Sequence, residues 1–389
     1  MTSTALTPEQ NEIRDAIFKL CAPFDDDYWL KRDREGGFPE ELYQTLAKDG
    51  WLGIAIPEEY GGSGLGISEA AVMMQAIAES GGGASSASAI HLNIFGLNPV
   101  VKFGTDEQKK RMLTPLIRGE EKACFGVTEP TTGLDTTNLK TRATWNGEKY
   151  IVHGQKVWIT TAQVADRILL LARTTPIEET EKPIDGISLF YTKLDRDYVD
   201  VREIEKMGRK CVDSNELFID GLPIPKEDLI GEEGKGFRYI LHGLNPERIL
   251  IAAESVGIGR AALKRASEYA QDREVFGRPI GMNQGVQHPL AQSWAELEAA
   301  NLMALHGAKL YDTDQPCGVE ANAAKLLAGE AAVRACETSM LTHGGFGYSK
   351  EYHVERLFRE AMLFKIVPIT PQLLLSYIAE KALDLPKSY

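Results

Sequence analysis

The chain has 389 residues, of which 43% are hydrophobic and 25% charged, and its formal net charge is −13. That composition suits a globular protein with room for two or three structural units, and the negative balance, without any basic block, excludes a nucleic-acid backbone as partner. Cys21, Cys124, Cys211, Cys317 and Cys336 are odd in number and scattered without a CxxC pair, which excludes a disulfide framework and a zinc site and suits a reducing compartment.

The histidines show no HExxH or other ligand spacing, so no metal is expected. Met1–Gln10 lacks a basic n-region and an apolar h-region, no run is long enough to span a bilayer, and Lys387-Ser388-Tyr389 is not an SKL-type address. A cytoplasmic protein with no membrane contact is the expectation.

Residues 1 to about 122 read as an all-α unit. Thr7-Pro8-Glu9-Gln10 combines an N-cap, a proline at the first helical position and a Gln three after the cap, with Ile13, Ile17 and Leu20 behind it at helical spacing. Thr105-Asp106-Glu107-Gln108 is a second capping box, and Gly81-Gly82-Gly83 breaks the run between helices.

From 123 to 234 the pattern changes to strands. Asn146-Gly147 between Leu139–Trp145 and Glu148–Val152 predicts a hairpin, and Ile168–Ala172, Ile187–Tyr191 and Glu216–Ile219 predict further short strands. Together they imply a small β-barrel or sandwich.

From 235 to 389 long helices return. One is predicted over Glu247–Gln271 and spans about 37 Å at 1.5 Å per residue. Comparable patterns over Pro289–Tyr311, Glu320–Leu341 and Pro371–Leu383, the last with Thr370 as N-cap, complete a four-helix bundle. Gly257-Ile258-Gly259-Arg260-Ala261-Ala262 mimics a dinucleotide fingerprint but follows a helical pattern, so its small residues are assigned to helix packing. The whole is α+β.

Two segments of the middle unit carry chemistry. Phe125-Gly126-Val127-Thr128-Glu129-Pro130-Thr131-Thr132-Gly133-Leu134-Asp135 is an apolar strand running into a Thr/Gly loop. Gly154-Gln155-Lys156-Val157-Trp158-Ile159-Thr160 is a strand in which Trp158 and Thr160, two apart, share a face. An indole lies well against a flat heteroaromatic ring, a neighbouring hydroxyl can hydrogen-bond its heteroatoms, and a loop of backbone N–H groups and small hydroxyls can hold a pyrophosphate.

These segments resemble the flavin signature of the acyl-CoA dehydrogenase family. The resemblance extends to Leu52–Gly62, to Arg273-Glu274-Val275-Phe276-Gly277-Arg278-Pro279-Ile280 with Gln284 and Gln287, and to His343–Tyr348 followed by Glu355–Ala361. It implies a helical, β-barrel, four-helix-bundle architecture and bound FAD. The implied flavin contacts are Phe125, Val127, Thr128, Gly133, Trp158, Ile159, Thr160, Thr370 and Gln372. It further implies that Arg273, Phe276, Gln284, Gly344 and Gly345 serve a partner subunit's FAD, hence a homodimer or homotetramer. Leu134 stands where the family usually has a Ser, and Leu341 where it commonly has a Gln.

In much of the family the catalytic base is a Glu just before the final helix, where this chain has Pro368, a residue without an N–H for the thioester carbonyl. A branch that includes isovaleryl-CoA and long-chain dehydrogenases carries its Glu at the start of the first long C-terminal helix, and Leu244-Asn245-Pro246-Glu247-Arg248 matches that Glu-Arg pair. Glu247 is therefore the expected base, with Asn245, Arg248 and Leu134 on the substrate side. An Asn-Pro-Glu run is also good helix-start chemistry, which leaves a purely structural role open for Glu247. The activity implied is dehydrogenation of an acyl-CoA, with electrons passed to an electron-transfer flavoprotein. An oxygen-using flavoenzyme of the same fold and a non-catalytic acyl-CoA binder remain alternatives.

Overall fold

The computed structural model describes residues 6–388; Met1–Ala5 and Tyr389, on which part of the expectation about targeting segments rests, lie outside them. The first part is helical: α1 (Pro8–Cys21), α2 (Asp26–Glu35), α3 (Glu40–Lys48), α4 (Ile67–Ile77), α5 (Gly83–Ser88), α6 (His91–Phe95), α7 (Asn98–Phe103) and α8 (Asp106–Ile117). Both predicted capping boxes form. The Gln10 N–H donates to Thr7 Oγ1 at 3.2 Å while Gln10 accepts from the Thr7 N–H, and Thr105 and Gln108 repeat the exchange. Between α4 and α5 the chain turns through Gly81 and Gly83, at φ +112° and +61°, values that favour glycine.

Seven strands follow: β1 (Ala123–Gly126), β2 (Arg142–Trp145), β3 (Lys149–Thr160), β4 (Arg167–Arg173), β5 (Ile187–Lys193), β6 (Val199–Glu203) and β7 (Ser214–Pro225). They form one sheet. β5 lies on one edge of β4, β1 and then β2 occupy its other edge, and the order continues β3, β7, β6. This curled sheet is the barrel-like element expected, open at its ends among the described residues. The β2–β3 hairpin turns at Gly147, φ +101°.

The first helix of the third part starts earlier than predicted. α9 runs without interruption from Gly236 to Asp272, so Glu247 lies about three turns inside it rather than at its start. Gly243 and Pro246 are both buried within this helix, and packing overrides the break their types suggest. A short ribbon, β8 (Glu274–Val275) with β9 (Arg278–Pro279), leads to α10 (Gln284–Asp312) and α11 (Gly318–His343). The fourth position of the bundle goes to α12 (Val354–Ile366), for which no helix was predicted, and α13 (Pro371–Ala382) packs beside α11. Thr370 takes the N-cap position of α13 but makes no side-chain capping bond.

Every residue of α9 from Ile249 to Leu263 is buried, as befits a helix through the middle of a core. Its glycines are there for closeness. A Cβ on Gly257 would stand 2.3 Å from the Gln75 carbonyl oxygen of α4, and one on Gly259 2.6 Å from Leu297 of α10. Among the described residues no single helix is long and apolar enough to cross a membrane. Gly257→Ala is expected to lower stability by about 1–3 kcal/mol, because one methyl group forces α4 and α9 apart; urea unfolding of the two proteins measures it.

Candidate active site

The two flavin-like segments are bolted together from beneath. Lys156 is fully buried, and its ammonium donates to Glu129 Oε1 at 2.9 Å and to the Val127 carbonyl at 3.1 Å. The Glu129 carboxylate also accepts the backbone N–H groups of Lys140 and Thr141, at 2.6 and 3.0 Å. Burial alone would disfavour ionised Glu129, but Lys156 and the hydrogen bonds hold its carboxyl below the usual range. Burial pushes Lys156 down to about 8, against the pull of Glu129. The Val157 N–H donates to the Thr128 carbonyl at 3.0 Å and completes the join.

Trp158 does not sit in a regular strand. The β3–β7 register shifts between Lys156 and Ile159, and Trp158 takes φ +62°. Such a bulge re-aims a side chain, and the indole is 58% exposed. Thr160 is partly exposed beyond it, whereas the Ile159 side chain lies in the sheet core, so Ile159 offers a ligand only its backbone. Phe125 and Val127 are half-buried, and Leu134 is exposed on the loop. In that loop Thr132 Oγ1 is buried without a partner, and a Cβ added to Gly133 would meet nothing within 4 Å. An uncovered indole, an unpaired hydroxyl and an open loop backbone fit FAD.

From β1 an aromatic path leads to α9. The Phe125 ring lies 6.0 Å from Phe95, and Phe95 lies 4.8 Å from His91. His91 Nδ1 meets Glu254 Oε1 at 2.5 Å. Glu247 precedes Glu254 by two turns on the same helix face. It is partly buried and has no side-chain hydrogen-bond partner among the described residues, and burial pushes its carboxyl up to about 7, with His91 and Arg248 pulling the other way and Glu254 adding to the rise. The proposed substrate residues Asn245 and Arg248 are bonded to each other, Arg248 Nη1 donating to Asn245 Oδ1 at 3.1 Å. Buried Lys325 on α11, pushed by its burial down to about 8, donates to the Ile369 carbonyl at 2.8 Å and pins the loop that contains Pro368. The Thr370 hydroxyl has no partner among the described residues, and Gln372 is exposed.

Arg273, Phe276 and Gln284 lie apart from all of this. Arg273 is 26 residues beyond Glu247 at the far end of α9, about 39 Å along the axis. Phe276 is fully exposed at φ +55°, and Leu341 and Tyr348 are also largely exposed. A Cβ on Gly277, Gly344 or Gly345 would meet nothing within 4 Å.

His91, Glu254, Arg209, Lys325 and the Glu129–Lys156 pair escaped the sequence reasoning as site components. Glu254 carried one signal, a lone carboxylate inside the otherwise apolar run Ile249–Ala253 and Val256–Ile258. Its partner comes from a helix 163 residues earlier, beyond any local pattern.

Family models for the acyl-CoA dehydrogenase N-terminal, middle and C-terminal domains match residues 7–120, 124–222 and 234–383. The chain is 36% identical over 397 residues to acyl-CoA dehydrogenase FadE12 of Mycobacterium tuberculosis, covering 100% of both. It is 34% identical over 341 residues to the caffeyl-CoA reductase-Etf complex subunit CarC of Acetobacterium woodii, covering 87% of this chain and 89% of that one. The solved butyryl-CoA dehydrogenase of Megasphaera elsdenii superposes with a TM-score of 0.92 at 30% identity, over 98% of this chain and 100% of that one.

Lys156→Met leaves the Glu129 carboxylate buried without its cation, and breaking such a pair from one side costs about 3–5 kcal/mol. Urea unfolding of the variant is expected to show that loss, and its flavin is expected to dissociate on gel filtration under conditions in which the parent protein retains it.

Proposed function

Given that the chain belongs to the acyl-CoA dehydrogenase family, whose members bind FAD, we propose that it catalyses α,β-dehydrogenation of an acyl-CoA thioester to the trans-2-enoyl-CoA. Glu247 is the base in this proposal, and electrons pass to an electron-transfer flavoprotein. The observation that carries it is a single carboxyl group. Glu247 lies on α9, the helix that the ring contacts from Phe125 through Phe95 to His91 lead to, makes no side-chain hydrogen bond among the described residues, and is pushed by burial up to about 7. A structural glutamate at a helix start would sit in the first turn; this one is three turns inside α9.

Bound FAD supplies a hydride acceptor for the β-hydrogen. Glu247 removes the α-proton, and its desolvation raises its basicity to what a general base near neutral pH needs. Phe125, Val127, Thr128, Trp158, Thr160, Gly133, Thr370, Gln372 and the backbone of Ile159 would hold the cofactor. Leu134 borders the CoA arm, while Arg248, kept in place by Asn245, faces Glu247. Arg273, Phe276, Gln284, Gly344 and Gly345 would reach the flavin of a second subunit, in keeping with their distance from Glu247 and their exposure. The CarC relative's name places it in an Etf complex, which supports the choice of acceptor. All five cysteines are free and buried, which supports the cytoplasm as compartment.

The test is anaerobic mixing of the FAD-loaded protein with butyryl-, isovaleryl-, octanoyl- and palmitoyl-CoA, followed by the visible spectrum. One thioester is expected to bleach the flavin, and Glu247→Gln is expected to slow that bleaching at least ~10²-fold while still binding the thioester. Bleaching within a few-fold of the parent would remove Glu247 from the chemistry. In air, peroxide formed at the rate of acyl-CoA consumption would shift the assignment to an oxidase.

Stability gives an independent check with a definite sign. The folded protein binds the Glu247 proton more tightly than the unfolded chain does, so ionising it destabilises the fold as pH rises from the ordinary 4.5 through about 7. Glu247→Gln is therefore expected to be as stable as the parent at pH 4 and more stable at pH 8, by on the order of 1 kcal/mol. Thermal unfolding at the two pH values measures the difference.

Arg273→Ala is expected to give a folded protein that loses flavin on dilution. A monomer with full FAD occupancy would contradict the shared site.

A further inference from the structure

Two turns along α9 from Glu247 stands a buried ion pair that the proton transfer itself does not use. Glu254 is 0% exposed, and the His91 side chain is 15% exposed. They meet at 2.5 Å, yet Glu254 Oε2 and His91 Nε2 are both buried with no hydrogen-bond partner among the described residues. Two carboxyl side chains, Glu247 partly buried and Glu254 fully buried, thus lie on one face of α9, about 10 Å apart along its axis. A buried carboxylate without a counter-charge is costly, and two of them repel.

Packed against α6 are α5, the 51–53 turn, β1 and α9. The first three present no charged side chain to His91, since α5 is Gly83-Ala84-Ser85-Ser86-Ala87-Ser88, the turn is Trp51-Leu52-Gly53 and β1 is Ala123-Cys124-Phe125-Gly126. α9 presents Glu254 and Glu247, with Arg248 beside the latter, and the loop before β7 contributes Arg209. Arg209 donates to the uncharged Ser88 Oγ at 2.8 Å and Ser214 Oγ at 3.3 Å, and its cation both attracts Glu254 and opposes a charge on His91. Of the two, His91 is the group in direct contact with the Glu254 carboxylate.

We propose that His91 is a positioning residue: an imidazolium clamped by Glu254, whose charge favours the ionised form of Glu247, the form that accepts the substrate α-proton. The proposal rests on Glu247 being the base. Two further facts fit it. Burial works against the His91 cation, but Glu254 and Glu247 outweigh it and leave His91 more basic than usual. The Phe95 ring against His91 keeps the imidazole at the end of the path from β1. Glu254 does not touch the reacting atoms; it acts through His91, and His91 acts through Glu247.

The experiment has two arms. In the first, imidazole NMR titrations are run on the FAD-loaded protein without substrate, for the parent, Glu254→Gln and Glu247→Gln. His91, assigned by its absence in His91→Gln, is expected to stay protonated above pH 7 in the parent. Its midpoint is expected to fall by about one pH unit or more in Glu254→Gln, and by a smaller measurable amount in Glu247→Gln, since coupling between two titrating groups is reciprocal. In the second arm, flavin bleaching by isovaleryl-CoA, or by whichever thioester of the panel is fastest, is followed against pH. His91→Gln is expected to move the acid limb up by about half a pH unit or more, with a high-pH plateau within a few-fold of the parent. A pair that only ties α6 to α9 would lower the melting temperature and leave the limb where it was.

A neutral His91 at pH 7 in the parent, a His91 midpoint indifferent to Glu247→Gln, or an unmoved limb in folded His91→Gln each overturns the proposal. The NMR arm reads the coupling without turnover. Full activity in Glu247→Gln would thus dispose of Glu247 as base while the His91 midpoint still reports whether the two groups are coupled.

Discussion

The buried contact between Lys156 and Glu129 organises the cofactor side of the molecule. Neither charge is tolerable alone at that depth, and together they gather four strands of constraint: the Val127 carbonyl, the Lys140 and Thr141 amides, and each other. With those fixed, the loop after β1 cannot drift from β3, and the residue two positions after Lys156 is thrown into a left-handed turn that uncovers its indole. The exposed indole thus lies two residues from a buried ion pair, on a strand whose pairing with β7 shifts register at that point.

α9 performs the corresponding task for the acyl side. It is continuous through Pro246, whose missing N–H leaves the carbonyl one turn earlier without its usual helical donor. The same helix carries Glu247 and Glu254 on one face and delivers Arg273 to the opposite end. A core helix buried on all sides over Ile249–Leu263 has little freedom to bend, so the positions of these residues are held by the packing of α4, α10 and α11 rather than by loops.

The parts of this arrangement that sequence reveals are those governed by neighbours in the chain. The capping boxes at Thr7 and Thr105, the Asn146-Gly147 hairpin and the strands over 168–172 and 187–191 each depend on a few adjacent residues, and each formed as read. The start of α9 was misplaced because Asn245-Pro246-Glu247 has the local chemistry of a helix beginning, while the helix is held together there by the burial of Gly243 and Pro246 against other elements. Trp158 and Thr160 were found from their types and spacing, but the bulge that exposes the indole depends on pairing with β7. The His91–Glu254 pair joins residues from different domains of sequence, and only the isolation of a carboxylate within an apolar run hinted at it.

The loop around Pro368 has a different significance once the proposed base sits on α9. It contributes no ionisable side chain of its own between Val367 and Gln372 and is tethered through a main-chain carbonyl, which any residue at 369 would supply to Lys325. In the proposed function, acid–base chemistry belongs to α9 and not to this loop, so the two are separate pieces of the chain. Substitutions between Pro368 and Pro371 would then leave the proposed base in place, and such modularity would let a lineage vary the loop without first losing the reaction.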